Sequence, residues 1–149
     1  MTDLIIVRHG ETIENKLGIC QGQTEGILSE NGIRQNKLQA KRLKNYKMDV
    51  IYTSPLKRAI ETGKEIWEYH KNINLRTDSR LIERNMGILQ GHRFPKNYDV
   101  TKTIEGMESM WDVRNRLQLF IDDLKISHSN QTILLVSHGI TIKILTTLL

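Results

Sequence analysis

The chain has 149 residues, of which 38% are hydrophobic and 26% are charged, and its formal net charge is +5. This length suits one domain with a hydrophobic core, so we predict a single domain over residues 1–149. Lysines and arginines are spread along the chain, which favours a solvated surface over a nucleic-acid patch. The lone Cys20 cannot form an internal disulfide, and no apolar run reaches the roughly 20 residues that span a bilayer. These features predict a cytoplasmic protein that binds neither nucleic acid nor membrane.

The first third of the chain predicts a strand, a loop and a helix. Residues 4–7 are a short apolar run, typical of a buried strand. The glycine-rich residues 18–26 predict a loop. Ser29 is placed to cap a helix that runs to about Tyr46.

The middle of the chain predicts a second strand and helix, a third strand and a long loop. The second strand covers residues 50–53, and Ser54 with Pro55 forms the cap-plus-proline signature of a helix start. A short third strand lies around residues 75–77, and residues 79–106 form an irregular, mostly polar stretch. Loops of this length in a compact domain are usually functional.

The last third predicts a helix, a strand and a helix. Residues 110–124 carry the best amphipathic pattern in the chain. Residues 132–136 are almost entirely apolar, as expected of a strand buried on both faces of a parallel sheet. The order of the elements predicts an α/β protein, a three-layer α/β/α arrangement with a mainly parallel sheet.

Two of the predicted strands end in the dipeptide His-Gly, at His9 and at His138. Because parallel strands end at one edge of a sheet, both imidazoles are expected where open α/β sheets place their ligands. Arg8 precedes the first histidine, Arg58 begins the helix after the second strand, and Glu83 opens the long loop. Two guanidinium groups beside two imidazoles suit a phosphate dianion.

Residues 8–12, Arg-His-Gly-Glu-Thr, together with Asn15 resemble the signature of the histidine phosphatase superfamily, also called the phosphoglycerate mutase-like family. Further segments similar to that family follow in the same order: residues 21–22, 54–62, 81–91, 106–109 and 137–139. The ordered matches span residues 4–139, so the resemblance implies a phosphoglycerate mutase-like fold.

The resemblance also implies a role for each matched side chain. His9 is the nucleophile that forms a phosphohistidine, while Glu83 protonates the leaving alkoxide and then takes a proton from the attacking water. Gln21 and Gly22 are candidate substrate contacts. No metal or other cofactor is implied, since neighbouring arginines would repel a cation. The oxygens of the phosphoryl group would be held by four polar residues: Arg8, Asn15, Arg58 and His138.

The chain departs from the family at two places. Only fourteen residues separate Gly91 from Gly106, where mutases and many phosphatases of the family carry a longer insertion over the site. We therefore expect an open pocket and hydrolysis in preference to mutase activity. Taken together, the motifs predict a metal-independent phosphatase that acts on a small phosphorylated metabolite. The chain also stops eleven residues after His138, as either a minimal member or a truncated one that lacks C-terminal strands. A sheet edge left uncovered beside the first strand would favour a homodimer.

Other interpretations stay open. A cofactor-dependent phosphoglycerate mutase would isomerise 3-phosphoglycerate when the 2,3-bisphosphate is supplied. A catalytically weak phosphate- or protein-binding module of the same fold would bind phosphate without forming a phosphoenzyme. A protein-phosphohistidine phosphatase is a further candidate, although such enzymes usually lack an acid loop like the one around Glu83. For Glu83 itself, an ion pair with Arg80 or Arg84 is the alternative role.

Overall fold

The structure is a computed structural model that describes residues 2–99 and 101–149. Within these residues one parallel sheet is built from four strands: β1 (Asp3–Arg8), β2 (Val50–Thr53), β3 (Asn74–Thr77) and β4 (Thr132–Ser137). The strand order is β1-β4-β2-β3. The most apolar strand, β4, is therefore central, and β1 is an edge strand of the sheet that the structure describes.

The helices cover both faces of this sheet. They are α1 (Ile13–Leu17), α2 (Glu30–Leu43), α3 (Lys57–Trp67), α4 (Met110–Ser127) and α5 (Gly139–Thr146). Short 3₁₀ turns at Ser79–Leu81 and Gly87–Leu89 interrupt the long loop after β3. No helix among the described residues is long and apolar enough to cross a membrane.

Alternate side chains of β4 enter two separate parts of the core. Ile133 and Leu135 pack with buried residues of α4 and α5, whereas Leu134 and Val136 pack with those of α2 and α3. All four side chains are fully buried. Successive residues of a strand point to opposite faces, so an unbroken apolar run serves two cores at once. The predicted three-layer α/β/α arrangement is confirmed.

Strand β1 ends at Arg8, and the chain turns away at His9, whose backbone N–H still donates to the carbonyl of Ser137. Gly10 then passes close to α2. A Cβ atom at Gly10 would lie 2.6 Å from the carbonyl oxygen of Gly32, which is too close for any side chain. This contact holds the segment after β1 against the first turn of α2.

The structure differs from the sequence-based elements at three places. Helix α2 ends at Leu43, earlier than expected, and the short helix α1 was not predicted. Helix α1 begins with a capping box in which Thr12 and Asn15 bond each other's backbone N–H groups. Ser54 does not cap α3, which begins at Lys57 without a side-chain cap.

Candidate active site

A cavity of about 270 Å³ opens at the carboxyl ends of β1, β2 and β4. The predicted site residue His138 is fully buried and is absent from the described wall, although its ring centroid lies 5.0 Å from that of His9. The structure thus brings all eight predicted site residues together. Seven of them form part of the wall: Arg8, His9, Asn15, Gln21, Gly22, Arg58 and Glu83.

The hydrogen bonds of His9 identify its reactive nitrogen. Nδ1 lies 2.7 Å from the carbonyl oxygen of Gly10, and because a carbonyl only accepts, we assign the ring hydrogen to Nδ1. Nε2 then carries a lone pair, which accepts a hydrogen bond from Nε of Arg58 at 3.3 Å. Nε2 is therefore the ring nitrogen with a lone pair, and that lone pair is engaged by Arg58.

The imidazole of His9 is held in its neutral form. Burial, reinforced by the charges of Arg58 and Arg8, lowers the pKa of His9 to about 4, although the hydrogen bond to Gly10 acts in the opposite direction. The side chain is only 7% exposed, in keeping with a large cost of desolvating an imidazolium. The imidazole of His9 therefore remains uncharged at neutral pH.

Arg58 is almost completely buried and is used mainly to hold the loop before α2. Nη1 donates to the carbonyls of Thr24 and Glu25, and Nη2 donates to the carbonyl of Gly22 at 2.8 Å. With Nε directed at His9, four of its five N–H donors are occupied. Arg58 thus ties the loop to the nucleophile and leaves one N–H for a phosphoryl oxygen.

Arg8 supplies the more available guanidinium. Its side chain is exposed and forms no hydrogen bond or ion pair within the part of the chain that the structure describes. A Cβ atom at Gly139 would lie 3.7 Å from Cζ of Arg8, so this guanidinium rests against the first turn of α5. The Oδ1 atom of Asn15 accepts a hydrogen bond from the backbone N–H of Thr12. The NH₂ group of Asn15 is therefore the part of this side chain that can bind a ligand.

Gln21 and Gly22 form part of the cavity wall. The Oε1 atom of Gln21 is buried beside Gly26 and has no hydrogen-bond partner among the described residues, and a substrate contact by Gln21 remains a prediction. Gly22 has a φ of 51° and its carbonyl oxygen accepts from Arg58. A substrate contact by Gly22 remains a prediction, and its carbonyl oxygen is already engaged by Arg58.

His138 packs behind His9 and is also neutral. Burial first, and then the charge of Arg58, lowers the pKa of His138 far below its ordinary value. Its Nε2 lies 2.7 Å from the hydroxyl oxygen of Ser54, and its Nδ1 is buried without a hydrogen-bond partner in the described residues. A direct phosphate contact by His138 remains a prediction.

The carboxylate of Glu83 lies at the N-terminus of α5. Oε2 accepts from the backbone N–H of Ile140 at 3.2 Å, and Oε1 accepts from that of Thr141 at 3.1 Å. The hydroxyl of Thr141 lies 3.0 Å from Oε1, and the N–H of Arg84 also donates to Oε1. These donors include the unpaired amides of a helix start, so they fix the carboxylate beside the cavity.

The alternative role of Glu83 as an ion-pair partner of Arg80 is wrong. Arg80 bonds Asp78 at 2.8 Å and pairs also with Asp123. These carboxylates raise the pKa of Arg80 well above its ordinary value. Glu83 is therefore not the partner of Arg80, and its ion pair with Arg84 stays a prediction.

Three residues near the site were not found by sequence reasoning. Ser54 contacts His138, Thr141 contacts Glu83, and Lys143 lies on the cavity wall. The signal for Lys143 was its position four residues after Gly139 on the last predicted helix, which places both on one face. The contact of Ser54 had no such signal, because its partner is 84 residues away.

No group of three or more His, Cys, Asp or Glu side chains in the described part of the chain could hold a metal ion. Cys20 also lines the cavity, but burial raises the pKa of its thiol to about 11, with the charge of Glu83 adding to the effect. The thiol therefore stays protonated at neutral pH and is a poor nucleophile.

Known proteins match this geometry. The family model of the histidine phosphatase superfamily (branch 1) matches residues 4–149. Phosphoserine phosphatase 1 of Hydrogenobacter thermophilus is 36% identical over 96% of this chain and 74% of its own length. A probable phosphoglycerate mutase of Yersinia pestis is 34% identical over 95% of this chain and 72% of its own length.

A solved structure agrees as well. Phosphoserine phosphatase from Entamoeba histolytica in complex with 3-phosphoglyceric acid has a TM-score of 0.86 and 32% identity, covering 99% of this chain and 79% of the other. Sequence and structure therefore match a phosphatase along nearly the whole chain. The chain belongs to branch 1 of the histidine phosphatase superfamily and is a phosphatase.

Proposed function

We propose that this phosphatase hydrolyses small phosphomonoesters without a metal ion, through a covalent phosphoryl intermediate on Nε2 of His9. The observation that carries the proposal is the state of this imidazole, which lines the cavity, is neutral and has its hydrogen assigned to Nδ1, so that Nε2 carries the lone pair. Arg8 and Arg58 supply the positive charge that phosphoryl transfer requires.

In the first step, Nε2 of His9 attacks phosphorus and the bond from phosphorus to the ester oxygen breaks. The leaving alkoxide takes a proton from the carboxyl group of Glu83. As Nε2 becomes bonded to phosphorus, its lone pair is no longer available to Arg58, whose Nε–H can then donate to a phosphoryl oxygen. Arg58 therefore binds the transferred group more strongly than the substrate, which is the requirement for catalysis.

In the second step, water attacks the phosphohistidine and passes a proton to Glu83, now a carboxylate. The bond from nitrogen to phosphorus breaks, phosphate leaves, and His9 returns to its neutral form. The carbonyl of Gly10 accepts from Nδ1–H throughout, so it stabilises the positive charge that the ring carries in the intermediate. Each such preorganised contact contributes about 10²- to 10³-fold to the rate.

We assign a donor role to His138. The backbone N–H of Leu56 donates to the hydroxyl oxygen of Ser54, which directs the hydroxyl hydrogen toward Nε2 of His138. A neutral ring that accepts at Nε2 carries its hydrogen on Nδ1, the atom that has no partner among the described residues. An N–H in this position suits a phosphoryl group on the neighbouring His9.

Hydrolysis is favoured over mutase activity because water can reach the intermediate. The loop between Gly91 and Gly106 contributes Phe94 to the cavity wall, and Phe94 is 45% exposed. A mutase has to keep water from its phosphohistidine until the second substrate arrives. The open wall at Phe94 does not provide that protection.

The direct test is turnover of p-nitrophenyl phosphate in the presence of EDTA, followed by trapping of the phosphoenzyme with ³²P-labelled substrate. We expect turnover that EDTA leaves unchanged and a label that is lost in His9→Ala. Turnover abolished by chelation, or a His9→Ala variant with full activity, would overturn the mechanism.

The alternatives give different results in companion assays. Isomerisation of 3-phosphoglycerate in the presence of the 2,3-bisphosphate, faster than release of phosphate, would identify a mutase. Tight phosphate binding without any phosphoenzyme would identify a binding module.

A further inference from the structure

The peptide group between Gly10 and Glu11 is hydrogen-bonded on both of its sides. Its carbonyl oxygen, which belongs to Gly10, lies 2.7 Å from Nδ1 of His9. Its N–H, which belongs to Glu11, donates to Oε1 of Gln35 on α2 at 2.9 Å. The Gly10–Glu11 peptide therefore lies in the middle of a series of hydrogen bonds that runs from the side chain of Gln35 to the ring of His9.

Other contacts hold this part of the backbone independently of Gln35. The carbonyl oxygen of Glu11 accepts from the N–H of Ser29 at 2.9 Å, and its carboxylate accepts from the Ser29 hydroxyl at 2.6 Å. The preceding peptide is fixed by α3, because the N–H of Gly10 donates to the hydroxyl of Thr62 at 3.2 Å. The bond from Gln35 is therefore available for an electrostatic effect on the peptide that it contacts.

The effect of Gln35 on this peptide follows from the cooperativity of hydrogen bonds. Bonds in series polarise one another, so an N–H that donates makes the carbonyl of the same peptide a stronger acceptor. Burial lowers the pKa of His9, whereas the hydrogen bond to Gly10 acts in the opposite direction and favours a positively charged ring. Gln35 strengthens the acceptor that faces the ring, and it therefore favours the charged ring as well.

We propose that Gln35 is a positioning residue that polarises the Gly10–Glu11 peptide and thereby stabilises the phosphohistidine on His9. The inference rests on the proposed function and assigns a part in it to an exposed side chain of α2. The ring gains positive charge when it is phosphorylated and loses that charge when phosphate leaves. Gln35 therefore speeds formation of the phosphoenzyme and slows its hydrolysis, which are effects of opposite sign on the two steps.

The test measures both steps by rapid quench with ³²P-labelled p-nitrophenyl phosphate at saturating concentration. Gln35→Leu removes the acceptor, whereas Gln35→Glu keeps an acceptor and makes it stronger. Gln39→Leu is the matched control, because Gln39 lies one turn later on α2 and its side chain forms no hydrogen bond within the described residues.

We expect Gln35→Leu to form the phosphoenzyme about 5-fold more slowly than the wild type, the effect of one ordinary hydrogen bond, and to hydrolyse it faster. Gln35→Glu should form the phosphoenzyme at least as fast as the wild type and hydrolyse it no faster. Both rates of Gln39→Leu should equal those of the wild type.

A second measurement does not depend on turnover. In protein labelled with ¹⁵N-histidine, NMR reports the proton on Nδ1 of His9, whose resonance lies farther downfield the stronger its hydrogen bond. We expect this resonance to move upfield in Gln35→Leu and to stay at the wild-type position in Gln39→Leu. An unchanged resonance in Gln35→Leu would overturn the polarisation of the peptide.

The outcomes separate this inference from the function on which it rests. Slower formation together with slower hydrolysis in Gln35→Leu would indicate only a distorted site and would overturn the role of Gln35. Two unchanged rates, or a Gln35→Glu variant that forms the phosphoenzyme as slowly as Gln35→Leu, would overturn it too. A wild-type enzyme that forms no phosphoenzyme would instead overturn the proposed function, and the inference with it.

Discussion

Acid should destabilise this protein through the buried imidazole of the nucleophile. The pKa of His9 is about 4 in the folded chain, compared with 6.5 when the ring is exposed to water. Between these two pH values the unfolded chain binds a proton at this residue that the folded chain does not bind. The free energy of unfolding therefore rises with pH in this window and falls on acidification.

The size of the effect follows from the same two pKa values. Between pH 7 and pH 5, protonation of the unfolded imidazole lowers the free energy of unfolding by about 2 kcal/mol. His9 is only 7% exposed, so solvent screens its charge little and the difference in pKa acts in full on the free energy of unfolding. A loss of this size is a large part of the stability of an ordinary domain.

The assay is urea unfolding at pH 7 and pH 5 in phosphate-free buffer, since bound phosphate would stabilise the folded chain. His9→Asn removes the titrating ring and should reduce the pH-dependent loss by about 2 kcal/mol relative to the wild type. His92→Asn is the control, because His92 is an exposed histidine of the loop. That variant should lose as much stability between the two pH values as the wild type.

The stability that His9→Asn still loses between pH 7 and pH 5 is assigned to His138. Burial lowers the pKa of His138 as well, so its protonation in the unfolded chain also lowers the free energy of unfolding on acidification. Identical pH-dependent losses in His9→Asn and the wild type would refute the reasoning. That result would show that the neutral form of His9 is not maintained by its burial.

Three further predictions concern the residues around the two histidines and the sheet edge. Thr141→Val removes the hydroxyl beside Glu83 and should lower kcat for an alkyl phosphate about 10-fold. The effect on p-nitrophenyl phosphate should be smaller, because its leaving group needs little help from an acid. Thr141→Ser should restore the rate, and equal effects on both substrates would contradict the prediction. Ser54→Ala leaves a buried nitrogen of His138 without its partner and should lower the free energy of unfolding by about 1 to 3 kcal/mol; an unchanged urea midpoint would argue against this. Pairing through the edge strand β1 predicts a homodimer, and a mass of one chain by light scattering at every concentration would exclude it.

Local pattern was sufficient for most of the fold. The apolar run of β4 predicted a strand covered on both faces of the sheet, because only such a strand can bury every residue. Leu134 and Leu135 do enter different cores. The start of α2 was predicted because Ser29 accepts a hydrogen bond from the N–H of Gly32, a contact made within four residues. Where the sequence carries such short-range information, the elements were found.

The contacts of individual side chains were less accessible. Ser54 was interpreted as a helix cap. Its hydroxyl instead bonds His138, which lies between β4 and α5. Arg58 was expected to hold phosphate, yet most of its donors bind carbonyls of the loop before α2. In both cases the partner comes from a segment distant in sequence. No local pattern specifies which distant group the hydroxyl of Ser54 or the guanidinium of Arg58 will bond.

The sequence by itself therefore predicted the layered α/β arrangement from hydrophobic periodicity and the gathering of polar residues from motifs placed at strand ends, which are properties of neighbouring residues. Its resemblance to the family predicted the nucleophilic role of His9. The tertiary structure alone decided which nitrogen of His9 faces Arg58, that its ring is neutral, and that Lys143 lies on the cavity wall. Those properties depend on distances between elements and on burial, which exist only once the chain is folded.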